Sequence, residues 1–294
     1  MERVKVVIGI DVETDVGSWT PFYKGVEKGI PRLLNLFERS GVNVTFFFTG
    51  ESAQLFPAKT REVIRAGHEA GCHSLYHETV GDELFAIPGV KPLLPEEVPL
   101  RLKRATEIVA KACGKKPVSF RAPRLWGSTA MVNALESLGY LADATYPLFY
   151  YRKRLAPYHP DRKNWLNEGK MRILEIPCFA DITRKSNDPF GRDLDQWPVF
   201  RTAGADVLLK MAGNFVGYVR SMKKAPVLCF YFHPWEFISL PGKFHYGEGT
   251  VVPDPFIVKN CGAKALGELS RFISGLKKEF NAEFLTCREL AGKS

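Results

Sequence analysis

Apolar and polar positions fall into two alternating kinds of block along this chain. Val4 to Ile10 (VKVVIGI) is a short apolar run rich in β-branched residues and predicts a buried strand ending at Asp11. Gly29 to Ser40 carries apolar residues at helical spacing and stops at Gly41, a residue that tolerates the left-handed backbone closing a helix. Val42 to Phe48 (VNVTFFF) predicts a second strand, and Thr60 to Ala70 reads as a helix ended by Gly71. Leu100 to Cys113 reads as an amphipathic helix, Pro117 to Phe120 as a short strand, Thr129 to Leu138 as a helix and Leu141 to Asp143 as the next strand. From Tyr146 to Arg172 the pattern weakens into an aromatic and basic excursion. Ile173 to Pro177 and Val227 to Phe232 read as strands, with a helix from Asp206 to Met222 between them. A helix from Ala263 to Phe280 then precedes a short strand near Phe284.

Strands that alternate with helices define an α/β chain with a parallel sheet or barrel. The length of 294 residues suits a strand-helix barrel, and with no internal repeat one domain over 1–294 is the simplest expectation. With 45% hydrophobic and 25% charged residues the composition is that of a globular protein, which argues against a disordered chain. No apolar run approaches the roughly 18–20 residues of a membrane-spanning helix. No basic segment precedes an apolar core as in a secretory signal, so cytoplasmic residence is the expectation. The six cysteines are scattered without CxxC spacing, which fits reduced thiols rather than a disulfide framework or zinc knuckle.

The formal net charge is +9, and its distribution matters more than its size. Between Pro147 and Ala225 there are 15 Lys and Arg against 8 Asp and Glu. Such a surplus attracts an anionic partner, or is simply a solvated basic surface. No recognised nucleic-acid motif accompanies it, so nucleic acid is not expected as a partner.

The candidate chemistry lies at the strand ends. Asp11, Glu13 and Asp15 follow the first strand; His73 and His77 follow the third helix; Arg121 and Arg124 follow Val118; Asp143 ends another strand; and His233 ends the run CFYF. In barrel-type α/β folds these ends converge on one face, where active sites are built. Histidines four residues apart lie on one side of a helical turn and can meet one ion. Three carboxylates after a buried strand repel one another unless a cation intervenes. One completes a two-histidine, one-carboxylate ligand set, and another can serve as general base. His233 titrates in the range of a general acid, Asp143 can hold and polarise it, and Arg121 can orient an ionised aspartate.

The segments IDVET, TFFFTG, HSLYH, FRAPR, DATY and YFHPW, in that order, resemble the polysaccharide deacetylases with NodB homology, carbohydrate esterase family 4. The resemblance runs from about Val4 to Trp235, with Phe284 to Leu290 also fitting. It implies a distorted (β/α) barrel of seven or eight strands and removal of N- or O-acetyl groups from sugars with one divalent metal. That metal is usually zinc; iron, cobalt, nickel and manganese also suit such ligands. Carried over by motif, Asp11 is the catalytic base, His73 and His77 are metal ligands, and His233 is the general acid supported by Asp143. Arg121 braces the base, and the backbone near Arg124 helps hold the oxyanion. Where the commonest pattern has two adjacent aspartates, this chain has Asp11-Val12-Glu13. Glu13 is assigned as third ligand, with Asp15 or Asp11 as alternatives.

The spaced acidic pattern resembles an intracellular branch of peptidoglycan-deacetylase-like and allantoinase-like proteins. With KGVEKGIPRLL it also resembles deformylases of lipid-linked aminoarabinose. That branch gives the excursion YPLFYYRKRLAPYH a role: Tyr146 and its neighbours would stack on a sugar, while Arg152 and Arg154 would pair with a phosphate or sit at the inner membrane surface. Trp19, Trp126 and Trp235 are candidate sugar-stacking walls, or core. The expected substrate is thus an N-acylated sugar, anionic or lipid-linked in this branch, bound through Arg124, Tyr146 and Trp235. A cyclic amide or ureide hydrolase on the same scaffold and a non-catalytic carbohydrate-binding relative are the competing expectations. The oligomeric state is not legible.

Overall fold

The computed structural model describes residues 3–293. Its strands are β1 (Lys5–Val12), β2 (Thr45–Phe48), β3 (Glu69–Cys72), β4 (Ser119–Phe120), β5 (Ala142–Asp143), β6 (Leu174–Glu175), β7 (Val227–Phe232), the hairpin β8 (Phe244–Tyr246) and β9 (Gly249–Val251), and β10 (Glu283–Phe284). Among the described residues every pairing between these strands outside the hairpin is parallel, in the order β7-β1-β2-β3-β4-β5-β6. Lys5 pairs with both β7 and β10, and Gly9 with both β7 and β2, so β2 and β10 share the edge of β1 opposite β7. The sheet curls into an open barrel, and the amide of Phe179 donates to the carbonyl of Cys229 across the gap between the segment after β6 and β7.

β1 is buried along nearly its whole length, as a central parallel strand covered on both faces must be. Helices Val98–Cys113, Ala205–Ser221 and Ala263–Phe280 supply the outer layer. On the last of these the buried residues Ala265, Leu269, Phe272, Ile273 and Leu276 follow helical spacing. Gly41 closes the helix Ile30–Ser40 at φ +57°, as its position predicts.

The expected helix Thr60–Ala70 is corrected. The helix runs Pro57–Arg65, Gly67 turns the chain at φ +86°, and residues Glu69–Cys72 form β3. A fully buried four-residue strand has no alternation to reveal it. Glu69 adds to the disguise, because its buried carboxylate accepts from Ser119 Oγ (2.6 Å) and Thr45 Oγ1 (2.9 Å). The cysteines are free, and Cys72, Cys178, Cys229 and Cys287 are buried. No helix among the described residues is long and apolar enough to cross a membrane.

His68 sits just before β3 against the rings of Phe37 and Phe46, at 5.6 and 5.5 Å between centroids. Burial pushes its imidazole down to about 4. Between pH 6.5 and 4 the unfolded chain therefore binds a proton that the folded chain refuses. Stability is full above that window and falls as pH drops through it, by on the order of 3 kcal/mol. Urea midpoints measured from pH 7 to 4 should show this loss, and the His68→Gln variant should show a flatter profile over the same range.

Candidate metal and active site

All the strands that carry candidate residues run the same way, so their carboxyl ends open on one rim. Register brings the residues together: Asp11 lies beside Phe47 of β2, Ile10 lies beside Phe232, and Cys72 lies beside Phe120. His233, His73 and Arg121 are the next residues on from Phe232, Cys72 and Phe120. The rim encloses a cavity of about 220 Å³ whose wall includes Asp11, Glu13, His73, His77, Arg124 and His233.

Three buried donor atoms face one another there. The nearest ligand atoms of Glu13, His73 and His77 all lie within 4.8 Å of each other. Glu13 Oε2 is 2.5 Å from His77 Nε2 and 3.6 Å from His73 Nε2, yet it receives no hydrogen bond. The Nδ1–H of His73 donates to the carbonyl of Arg121 (2.7 Å), which leaves Nε2 as the unprotonated nitrogen facing Glu13. Burial lowers the pKa of His77 against the charge of Glu13, favouring the neutral ring a metal requires. Burial opposes ionisation of Glu13, but His77, His73 and His233 outweigh it and hold the carboxyl well below its usual range. A buried carboxylate oxygen without a hydrogen bond, facing two imidazole nitrogens, fits a divalent cation of the zinc type.

The histidine pair is not on a helical turn as its spacing suggests. It lies on a bent loop after β3 in which Ser74 and His77 take φ +66° and +59°. Glu78 holds that bend by accepting from Ser74 Oγ and from the amides of Leu75 and Tyr76. The result is the same, two imidazoles 5.2 Å apart, reached by a different backbone. The three carboxylates are placed differently. Asp15 accepts from the amides of Lys24 (3.0 Å) and Gly25 (2.8 Å) at the start of the π-helical turn Gly25–Gly29, outside the donor cluster. Asp11 Oδ1 accepts from Arg121 Nη1 at 2.9 Å.

Arg121 is fully buried and is held at every side of its guanidinium. Nε donates to the carbonyl of Ala144 (2.9 Å), Nη2 to Cys229 Sγ (3.4 Å), and the plane lies 4.6 Å from the ring centre of Phe47. Burial works against its charge, and Asp11 more than restores it. Gly9 makes the room, since a Cβ there would sit 2.0 Å from Nη1.

On the opposite side of the cluster, His233 Nε2 lies 3.9 Å from Glu13 Oε1. Its Nδ1 pairs with Glu236 Oε1 at 3.0 Å, and Glu236 Oε2 accepts from the buried Arg201 Nε at 2.6 Å. Burial disfavours the imidazolium, but Glu236 and Glu13 together raise the pKa of His233. Asp143 is therefore corrected as the partner of His233. It accepts from Thr145 Oγ1 instead, next to the buried Glu175, and burial pushes it up to about 7. The DATY match gave the right strand but not the right contact, because β5 stands across the sheet from β7. Glu236 lies three residues beyond His233 on the 3₁₀ turn Pro234–Phe237, and that spacing is the signal the sequence offers for the contact.

Tyr146 is also corrected as a substrate contact. It is buried among Tyr151, Tyr158 and Trp165, and its hydroxyl accepts from the amides of Lys153 and Arg154, so it anchors the excursion instead of facing the pocket. Arg154 donates to the carbonyl of Leu166 and lies over Tyr158, and Arg152 donates to the carbonyl of Phe149; neither lines the pocket. Trp126 is core. Trp19 lines the cavity and is half exposed, and Trp235 lines it while stacking on His233 at 5.2 Å. Asp195 and Trp197, in the unassigned stretch GRDLDQWP, form another wall. The hydroxyl of Tyr231 donates to Asp195, and Trp197 meets His233 edge to face. Gly25 and Gly29 of the KGVEKG segment approach the backbone of Trp235 and Pro234 so closely that a Cβ would fall 2.5 and 2.1 Å from them.

An open parallel barrel carries at its carboxyl rim an acid-histidine cluster that could hold a metal ion. Residues 17–142 match the family model for polysaccharide deacetylase, a stretch that holds His73, His77 and Arg121 but begins after Glu13 and ends before His233. Several curated relatives align with the chain, among them two peptidoglycan deacetylase-type proteins. The peptidoglycan deacetylase-like protein FGM2 of Gibberella zeae is 24% identical over 205 residues, 60% of this chain and 57% of that protein. A peptidoglycan deacetylase of Helicobacter pylori is 28% identical over 147 residues, 46% of each. The chain thus spans about half the length of the curated relatives it matches. Among solved structures, the PuuE allantoinase superposes with a TM-score of 0.63 over 99% of this chain and 90% of that one, at 16% identity, which speaks to the fold alone. Over residues 17–142 the chain resembles the polysaccharide deacetylase family, and its curated relatives point the same way.

Proposed function

We propose that this chain hydrolyses the amide bond of an N-acylated amino sugar, with an acetyl group as the first choice of acyl and formyl as the second. The observation that carries the reading is the convergence of Glu13, His73 and His77 between Asp11–Arg121 on one side and His233–Glu236 on the other, at one cavity. Glu13 Oε2, His73 Nε2 and His77 Nε2 would hold one divalent ion. Such an ion supplies Lewis-acid polarisation of an acyl carbonyl and of water.

The chain's own residues supply the rest. Asp11, oriented by Arg121, takes the proton of the attacking water. His233 donates from Nε2 to the departing amine, since Glu236 occupies Nδ1 and fixes the ring. Trp235 and Trp197 hold the face and edge of that imidazole and keep bulk water from it. Amide hydrolysis needs both a base for water and an acid for a poor leaving group, and this arrangement offers one of each.

A ureide hydrolase could share the scaffold, as the allantoinase superposition illustrates, and a binding module would have no need of the acid-base pair. Acetate and formate release from a panel of N-acylated amino sugars, and ring opening of allantoin to allantoate, both measured with added zinc, decide among them. Release from the sugars that is lost in Asp11→Asn is expected. Turnover of allantoin alone, or of nothing in the panel, would overturn the reading.

A further inference from the structure

The cavity wall carries three carboxylates and two arginines, and they differ in how they are satisfied. Asp11 has Arg121, Glu13 has the two histidines, and Asp195 has the hydroxyl of Tyr231. Arg124 and Arg192 line the same cavity with no carboxylate within ion-pair distance among the described residues. Arg124 is half-buried, and its Nη1 donates to the carbonyl of His77 (3.0 Å) and to Thr79 Oγ1 (3.2 Å). Those bonds tether one nitrogen of the guanidinium to the loop of His73 and His77 and leave Nη2 and Nε without a hydrogen-bond partner among the described residues. Arg192 reaches the cavity from the 3₁₀ turn Arg192–Leu194 and lies 5.1 Å above the ring of Phe85, a contact that orients the guanidinium without neutralising it.

Phe85, Ile87, Leu125 and Phe149 make the neighbouring wall apolar. Arg124, half-buried beside these apolar walls, loses hydration that an anion would replace, whereas Arg192 stays exposed; the planar fork of each matches a phosphate or carboxylate in two-point contact. Arg124 is fixed at one nitrogen by neutral groups and open at the other two, while the exposed Arg192 rests on Phe85 with Asp195 in the same wall, an arrangement able to take an anion from outside.

We infer that the cavity takes an N-acylated substrate bearing an anionic group, a phosphate ester or a carboxylate, and that Arg124 and Arg192 determine this specificity. The inference rests on the amide-hydrolase reading and narrows its substrate class. It also relocates the expected phosphate contact, from Arg152 and Arg154 of the excursion to two arginines of the cavity wall.

The test compares binding and turnover of N-acetylglucosamine, N-acetylglucosamine 1-phosphate and N-acetylmuramic acid on zinc-loaded protein, with affinities from calorimetry. At least one of the two anionic sugars should bind about tenfold or more tighter than the neutral one, and added salt should shrink the gap. Which anion gains identifies the source of the charge. In Arg192→Gln the anionic-to-neutral ratio should fall about tenfold. Arg154→Gln, whose side chain is turned away from the cavity, should keep the wild-type ratio. Because Arg124 braces the ligand loop, Arg124→Lys, which retains charge but loses the fork, is the second variant and should lower the ratio as well. Equal binding of all three sugars, or a preference that persists in Arg192→Gln, would overturn the inference. Tighter, Arg192-dependent binding of an anion without any hydrolysis would uphold the subsite and overturn the hydrolase reading. Hydrolysis of the neutral sugar with no gain from charge would do the reverse.

Discussion

Replacing His77 by alanine is expected to abolish stoichiometric zinc binding and to lower turnover of N-acylated sugars by roughly a hundredfold or more. His77 Nε2 is the donor nearest Glu13, at 2.5 Å, and its loop is stabilised by Glu78 and Arg124 and does not depend on an ion. The variant should therefore fold with near-normal stability in metal-free buffer, which separates loss of the ion from loss of structure. His73→Ala should show the same metal loss and also free the carbonyl of Arg121, which His73 Nδ1 satisfies. Metal content by atomic emission on dialysed protein, with circular dichroism as the folding control, checks the expectation. Full metal occupancy in both variants would remove the Glu13-His73-His77 assignment.

The second large effect is on stability. Arg121→Met should destabilise the fold by about 3–5 kcal/mol, because it leaves the buried carboxylate of Asp11 without its counter-charge and the carbonyl of Ala144 without a donor. Asp11→Asn should cost less, since its amide oxygen still accepts from Nη1, while turnover falls through loss of the base. Urea unfolding of the two variants separates these outcomes. An Arg121→Met protein as stable as wild type would show that Asp11 is neutralised by something other than this contact. Gly9 belongs to the same unit, because its missing Cβ is the space the guanidinium fills.

Five of the residues that meet at the cavity are legible in the sequence. Asp11, Glu13, His73, His77 and His233 are polar residues placed where apolar runs end, and a parallel sheet brings such positions to one rim. Local patterning also carried β1, β7 and the long helices, whose bounds agree to within a residue or two. It failed where a signal is shared by two structures. The four-residue β3 reads as the end of a helix, and the histidine spacing suits a helical turn, although a left-handed bend at Ser74 and His77 produces the same convergence. Spacing fixes which side chains can be neighbours but not which backbone makes them so.

Contacts between distant elements were out of reach for a related reason. Asp143 and Tyr146 sit in motifs beside the right strand, but the direction of each side chain depends on what the curled sheet packs against it. One turns to Thr145 and the other into an aromatic cluster. Conversely, Arg201 and Glu236 are 35 residues apart and unremarkable in sequence, and only burial makes them the support of His233.

By itself, then, the sequence determined the strand-helix alternation, the acid-histidine inventory at the strand ends and the absence of a long apolar helix. Each of these depends on residues near one another along the chain. The tertiary structure decided which carboxylate faces the histidines, which acid orients His233 and which arginines line the cavity. A charged side chain takes its role from the low-dielectric partners around it, and those partners come from strands and loops that meet only once the sheet has curled.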